Sequence, residues 1–289
     1  MIEQHPDLCP PDELAHGDFE MVVRRLADDL AFGTDASLFT GSGLEYAQSR
    51  PYEAGDPIKQ MDWRLTARMG KPYVKEYEAL KRTDVLLLLD TSASMAVGST
   101  RLRKHDLGVW LAAAIGLIAQ RRLSPTAVIG GGERTTRFEP SLLATDLWQA
   151  LEPLREGSVS EQTTLGERLN EVVVRANRSS VIVVISDLHD PEALPAIRFA
   201  AQRHDVIVLE VRDPAEKGSL RAGFFRGREA ETGASFVGHG RQRWFEEDET
   251  GRLLARAGAS WLRLETGSPF VPALRYFLAS RQRTGGGRS

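Results

Sequence analysis

Cysteine is nearly absent from this chain of 289 residues, which carries Cys9 alone. A single thiol excludes an internal disulfide and a cysteine-built zinc site, and the Pro-rich surroundings of Cys9 supply no neighbour that would activate it. Long apolar runs are missing too. A bilayer-spanning helix needs about 20 apolar residues, whereas the longest candidate, Val109 to Ala119, has the length of a buried core helix. Neither sign of charge dominates. With 37 Lys and Arg against 40 Asp and Glu, the net charge of −3 builds no field for nucleic acid or an acidic membrane. The arginines that do cluster, Arg221, Arg226, Arg228, Arg241 and Arg243, alternate with Glu229, Glu231, Glu246 and Glu247 in the manner of a solvated, ion-paired face. The start, Met-Ile-Glu-Gln-His-Pro, has neither the basic nor the apolar region of a signal peptide. Together these absences lead to the expectation of a soluble, cytoplasmic protein without membrane insertion and without nucleic acid as a partner.

What is present is a change of pattern along the chain. Leu14, Phe19, Val22, Val23 and Leu26 are spaced for a helix from Pro11 to about Leu30, so residues 1–36 read as a leader with one short helix. From 37 to 82 the chain turns aromatic and glycine-punctuated, with Tyr46, Tyr52, Trp63, Tyr73 and Tyr77 set between turn signals such as Gly55-Asp56-Pro57 and Gly70-Lys71-Pro72. This predicts a small strand-rich module. Residues 83–281 alternate apolar runs with amphipathic stretches, the pattern of an α/β domain with a doubly wound, mainly parallel sheet. Strands are expected near 84–90, 126–131, 134–139, 180–186, 205–211 and 259–264, the third as an antiparallel edge because only a tight turn at Gly131-Gly132-Glu133 precedes it. Helices are expected near 102–122, 142–154, 164–177, 191–203 and 270–281. A hairpin is expected within Gly218 to Gly240, and residues 282–289 read as a flexible tail.

Two of the expected strands end in chemistry. The run Val85 to Leu89 closes on Asp90-Thr91-Ser92-Ala93-Ser94, and the run Val181 to Ile185 leads to Asp187. Carboxyl ends of parallel strands open into the crevice where α/β sheets place their ligands. An Asp-x-Ser-x-Ser loop offers one anionic and two neutral oxygens, the supply that a small divalent cation takes. Just beyond it, Arg101, Arg103, Lys104 and His105 stand at a helix start, where cations oppose the dipole, and read as a solvated face. In the module, Asp56, Asp62, Arg64 and Arg68 are close enough to pair around Trp63. The indole would then fill a gap against the main domain, and the cluster would brace module to domain or contact a partner.

Asp90, Ser92, Ser94 and Met95 resemble the metal-ion-dependent adhesion site, or MIDAS, of von Willebrand factor A domains, whose pattern is Asp-x-Ser-x-Ser at a strand end. That family adds a Thr before a helix and an Asp ending a later strand. Thr163, in Thr163-Thr164-Leu165-Gly166-Glu167, and Asp187 match these, with Thr164 as the neighbouring alternative. The resemblance implies a von Willebrand A-like domain binding Mg²⁺ or Mn²⁺ through Asp90, Ser92, Ser94, Thr163 and Asp187, with no catalytic residues.

A second resemblance lies upstream, in Arg50-Pro51-Tyr52-Glu53-Ala54-Gly55-Asp56, Met61-Asp62-Trp63-Arg64-Leu65-Thr66-Ala67-Arg68 and Val74-Lys75-Glu76-Tyr77-Glu78. These are similar to the signature of the bacterial domain-of-unknown-function family 58, the MoxS-like proteins, in which it leads into a von Willebrand A-like domain. Pro57 stands where that family often has a second acid, and Lys59 where it often has Arg, which loses bidentate geometry. The resemblance implies a chaperone-like adaptor that works with a MoxR-type AAA+ ATPase on a client protein, an acid of the partner completing the metal's coordination. The chain has no Walker motif, so ATP use would belong to the partner. Two other readings stand beside this non-enzymatic one. Asp187-Leu188-His189 echoes the opening Asp-x-His of calcineurin-like metallophosphoesterases, without their later Gly-Asn-His element, and would signal a metal-dependent phosphohydrolase. A metal-free scaffold, its hydroxyls serving only as caps, is the other.

Overall fold

The computed structural model describes residues 18–31, 45–78, 83–96, 98–132, 139–155, 163–217, 224–228, 235–239 and 247–284. Helix α1 (Phe19–Ala31) starts where Asp18 Oδ1 accepts a hydrogen bond from the Met21 amide at 3.0 Å. It buries Val22, Val23, Leu26, Ala27 and Leu30 in the core of the main domain, and Phe19 meets Trp110 edge-on at 4.9 Å. The leading helix is therefore part of that domain, where the sequence placed it in a separate leader. Residues 1–17 of the expected helix and leader lie outside the described residues.

The segment read as strand-rich holds an antiparallel pair, β1 (Glu45–Pro51) and β2 (Tyr73–Glu78), joined through a short helix, α2 (Trp63–Met69). The helix was not expected, although its signals are ordinary. Asp62 Oδ1 caps the Leu65 amide at 2.9 Å, and Gly70 closes the last turn at φ 67°, a left-handed conformation that a β-carbon would strain.

The main domain continues through β3 (Val85–Leu89), α3 (Lys104–Arg121), β4 (Thr126–Gly130), α4 (Ala144–Arg155), α5 (Leu165–Arg175), β5 (Val181–Ser186), α6 (Ala193–Ala200) and β6 (Asp205–Arg212). Then come the hairpin β7 (Phe224–Arg228) and β8 (Ser235–His239), α7 (Glu247–Arg256), β9 (Ser260–Glu265) and α8 (Val271–Thr284). Five strands form one wholly parallel sheet in the order β4-β3-β5-β6-β9. Continuous runs such as Val-Leu-Leu-Leu-Leu and Val-Ile-Val-Val-Ile suit strands covered on both faces. Successive side chains point to opposite faces. Leu87 and Leu89 join a core with α1, α3, α4 and α8, while Leu86 and Leu88 join another with α5, α6 and α7. Helix α3 is apolar nearly all round and buried accordingly. Among the described residues no helix is long and apolar enough to cross a membrane. Of the antiparallel edge strand expected near 134–139, residues 134–138 lie outside those described, as do most of the residues around the clustered arginines between 218 and 246.

The strand order fixes where a site can lie. From β3 the chain moves to β4 on one side and then to β5 on the other, so the order reverses between β3 and β5 and a crevice opens at their carboxyl ends. Asp90 and Asp187 end those two strands.

Candidate functional site

Parallel pairing sets Leu89 opposite Ile185, and the ladder runs one step further as the Asp90 amide donates to the Ile185 carbonyl at 2.9 Å. Asp90 is buried. Its Oδ1 accepts from the Ser92 amide at 2.9 Å and its Oδ2 from Ser186 Oγ at 2.6 Å. The chain then winds into a 3₁₀ turn at Ala93–Ala96, with Met95 buried beneath it, and brings Ser92 Oγ within 3.0 Å of Ser94 Oγ. On the facing strand, Ser186 Oγ also accepts from the Leu188 amide at 2.8 Å, holding Leu188 at φ 57°. A non-glycine residue in that left-handed region is strained, and the turn it makes swings Asp187 and His189 toward the crevice.

The start of α5 closes a third side. Asp190 Oδ2 accepts from the Gly166 amide at 2.8 Å, and a β-carbon on Gly166 would stand 2.7 Å from the Glu192 carbonyl oxygen, so this junction requires glycine. Thr164 Oγ1 donates to the Gly131 carbonyl at 3.1 Å, beside the Asp90 backbone. Its neighbour Thr163 has a buried hydroxyl without a hydrogen-bond partner among the described residues. Of the two threonines, Thr163 is the one left available to a ligand.

Asp187 is fully buried and paired with Lys104, also fully buried, whose Nζ lies 2.6 Å from Asp187 Oδ2. Lys104 also contacts Glu216. His189 Nδ1 stands 3.2 Å from Asp187 Oδ2, and His189 Nε2 lies 3.0 Å from Arg212 Nη1. Arg212 bonds Glu210 at 2.7 Å, and Glu210 takes further bonds from Trp261 at 2.8 Å and Arg263 at 3.1 Å. Asp213 is held by the Ser99 amide at 2.8 Å and Thr266 Oγ1 at 3.0 Å. Asp187, Glu210 and Glu216 share the cations Lys104, Arg212 and Arg263, whereas Asp90 and Asp213 take their bonds from hydroxyls and backbone amides.

The two strand-end aspartates are shifted in opposite directions. Burial and then the charge of Asp187 push Asp90 up to about 6. Burial acts on Asp187 in the same sense, but the hydrogen bond from His189 and the charge of Lys104 outweigh it and hold Asp187 below the usual carboxylate range.

Lys104 is the residue that sequence reasoning misplaced. It and His105 are buried, whereas Arg101 and Arg103 of the same run are exposed, Arg103 pairing with Asp106 at 2.8 Å. Asp187, His189 and Glu216 have ligand atoms within 4.8 Å of one another and form a possible metal triad by position, yet the Lys104 ammonium already contacts two of the three.

The structure brings Asp90, Ser92 and Ser94 together at one strand end, with Asp187 on the neighbouring strand. The signature residues lie elsewhere. Arg50 grips Asp56 through two bonds of 2.7 Å, and Ser49 Oγ donates to Asp62 at 2.8 Å. Trp63 is 64% exposed, and Tyr52, Arg64 and Arg68 are exposed as well, so the indole does not fill a gap against the main domain.

These features define a mixed α/β protein whose parallel sheet gathers buried carboxylates and hydroxyls at its switch point. The chain belongs to the family described as "Protein of unknown function DUF58", whose model matches residues 48–244 and so takes in every candidate residue from Arg50 to Asp187. Uncharacterized proteins of Mycobacterium bovis and Mycobacterium tuberculosis are each 28% identical over 291 residues, covering 91% of this chain and 88% of theirs. The crystal structure of the Deinococcus radiodurans RO (RSR) protein is similar at a TM-score of 0.36 and 17% identity over 69% of this chain, which spans 34% of that protein.

Proposed function

We propose that the chain is a cytoplasmic, metal-dependent protein-binding adaptor whose α/β domain is von Willebrand A-like. The observation that carries this reading is the buried Asp90 carboxylate at the switch point, held by neutral donors only and lined by the hydroxyls of Ser92, Ser94 and Ser186, which suits the charge and ligand taste of one Mg²⁺ or Mn²⁺. Asp90, Ser92, Ser94, Thr163 and Asp187 would hold it, directly or through water, and the unpartnered Thr163 hydroxyl fits that role. Bound there, the ion supplies a positive point that a partner's carboxylate can complete. The chain's own residues do the rest. Ser186 fixes the Asp90 carboxylate, Lys104 and His189 fix Asp187 by its Oδ2, and Asp190 pins the start of α5. The family signature supports a MoxR-type AAA+ ATPase as partner and a client protein as the substrate of their joint action, the chain itself being no enzyme.

Titration calorimetry tests the metal. Mn²⁺ should bind the wild-type protein with one-to-one stoichiometry and should fail to bind the Asp90→Ala, Asp187→Ala variant. Equal binding by both would overturn the reading. A second reading, a metal-dependent phosphohydrolase, draws on the triad Asp187, His189 and Glu216. The ammonium of Lys104 against two of its members opposes a second metal there.

A further inference from the structure

The signature segment carries a second surface, built on opposite lines from the crevice. Between β1 and β2 the polar side chains hold one short helix in place. Arg50 clamps Asp56, Ser49 bonds Asp62, Asp62 caps the Leu65 amide, and Thr66 Oγ1 accepts from the Tyr73 amide at 2.9 Å. Very little is buried in return, for Val74 alone among residues 57–75 is fully buried. So many directed contacts around so small a core preorganise a surface and contribute little to a fold.

On α2 the half-buried Leu65 and Thr66 face the hairpin. Trp63, Arg64, Ala67 and Arg68 fall in one arc of about 140° at 3.6 residues per turn, and all four are exposed. Ile58, 70% exposed, and Met69, 54% exposed, flank them. Lys59, Arg64, Arg68 and Lys71 make no ion pair among the described residues, because Asp56 is engaged by Arg50 and Asp62 serves as the cap. Residues 57–75 hold five cations and the single acid Asp62, the other acids of the segment, Glu45, Glu53, Asp56, Glu76 and Glu78, flanking that stretch and balancing 45–78 at six of each sign. Trp and Arg are also the residue types that dominate interface energetics.

We propose that the exposed face of α2 docks an acidic segment of a partner protein, Trp63 packing on an apolar side chain and Arg64 and Arg68 binding the flanking carboxylates. Charge complementarity selects this occupant. A planar guanidinium matches a carboxylate with two parallel hydrogen bonds, and here two guanidiniums without an ion pair among the described residues share a face with an exposed indole. The surface does not depend on a metal.

The test places p-benzoylphenylalanine at Ala67 of the full chain, with Val174, 75% exposed on α5, as the control position. Cross-linking is carried out in lysate of the source cells in EDTA, so that failure of the metal reading cannot imitate failure of this one. Mass spectrometry then identifies the cross-linked peptide. The identified protein, purified, is titrated with wild-type, Trp63→Ala and Arg64→Glu/Arg68→Glu chains, again in EDTA. The expected result is a position-67 cross-link to a segment rich in Asp and Glu. Its affinity should fall at least about tenfold in both variants and weaken with added salt, while melting temperatures stay at the wild-type value. A cross-link to a second copy of this chain, to nucleic acid or to a neutral or basic segment would overturn the proposal. So would labelling no stronger than at position 174, or an affinity unchanged in the variants.

Discussion

The crevice between β3 and β5 and the helix α2 are built from the same residue types, acids, arginines, lysines and an occasional tryptophan, with opposite consequences. In the crevice Asp90, Asp187, Lys104 and Glu210 are out of water, and the last three stand at hydrogen-bonding distance from charged partners. On α2 the charges remain hydrated and need no partner at all. Removing a charge from the first region therefore acts on folding, and removing one from the second acts on association. Burial rather than residue type separates the two.

That contrast breaks or holds on a graded set of variants. The largest effect belongs to Lys104→Met, which strands two carboxylates beside an apolar side chain. The metal-free protein should lose about 3–5 kcal/mol, the cost of breaking a buried pair by deleting one partner. Urea denaturation in EDTA measures it, and Mn²⁺ should restore part of the loss by replacing the missing positive charge. A loss under about 1 kcal/mol would mean that Lys104 and Asp187 are not paired in solution.

Asp90→Asn should act the other way. The folded carboxyl titrates near 6, above the ordinary value of 3.8, so between those values the folded state holds more protons than the unfolded one. Asp90 therefore costs metal-free stability as the pH rises from about 4 through 6, and the cost is complete above 6. The variant should gain on the order of 1 kcal/mol at pH 7 in EDTA and little at pH 4, while losing Mn²⁺ affinity. Denaturation curves at the two pH values decide it, and a variant less stable than wild type at both would refute the electrostatic account.

His204 gives a smaller effect of opposite sign. Burial lowers its folded value below the ordinary 6.5, and its Nδ1 accepts from the Ser180 amide at 3.3 Å. Its contribution is present above pH 6.5 and fades as the pH falls through the lowered value. His204→Gln should flatten the acid side of a melting-temperature profile between pH 5 and 7. The smallest effect belongs to Trp63→Ala, within about 0.5 kcal/mol of wild type because the ring is exposed. A loss of several kcal/mol would show the indole buried and the α2 surface covered.

The sheet was legible because apolar runs such as Val85 to Leu89 and Val181 to Ile185, each ending in polar residues, admit few other readings, and Asp90, Ser92, Ser94 and Asp187 came with it as strand-end residues. Lys104 was not legible. Its partners lie 83 and 112 residues downstream, and next to Arg101 and Arg103 it looks like one more solvated cation. Glu210 and Glu216 were missed for the same reason, since nothing local marks a carboxylate that a distant strand will cover. In α1 the periodicity showed an apolar face, which cannot say what that face meets. The α2 helix was hidden by the aromatic and glycine content around it, although Asp62 and Gly70 bracket it with a cap at each end.

The pairing of Val85 with Val181 brings an order of events with it. At about 5–20 residues per second, Asp187 is made roughly 5–20 s after Asp90, and Glu216 later still. Through that interval the newly made Lys104 has neither of its carboxylates, and the Asp90 loop has no facing wall. The crevice therefore closes only once β5 and the turn carrying Glu216 have been made, and a nascent chain halted before β5 presents its serines and its lysine with nothing yet to bind.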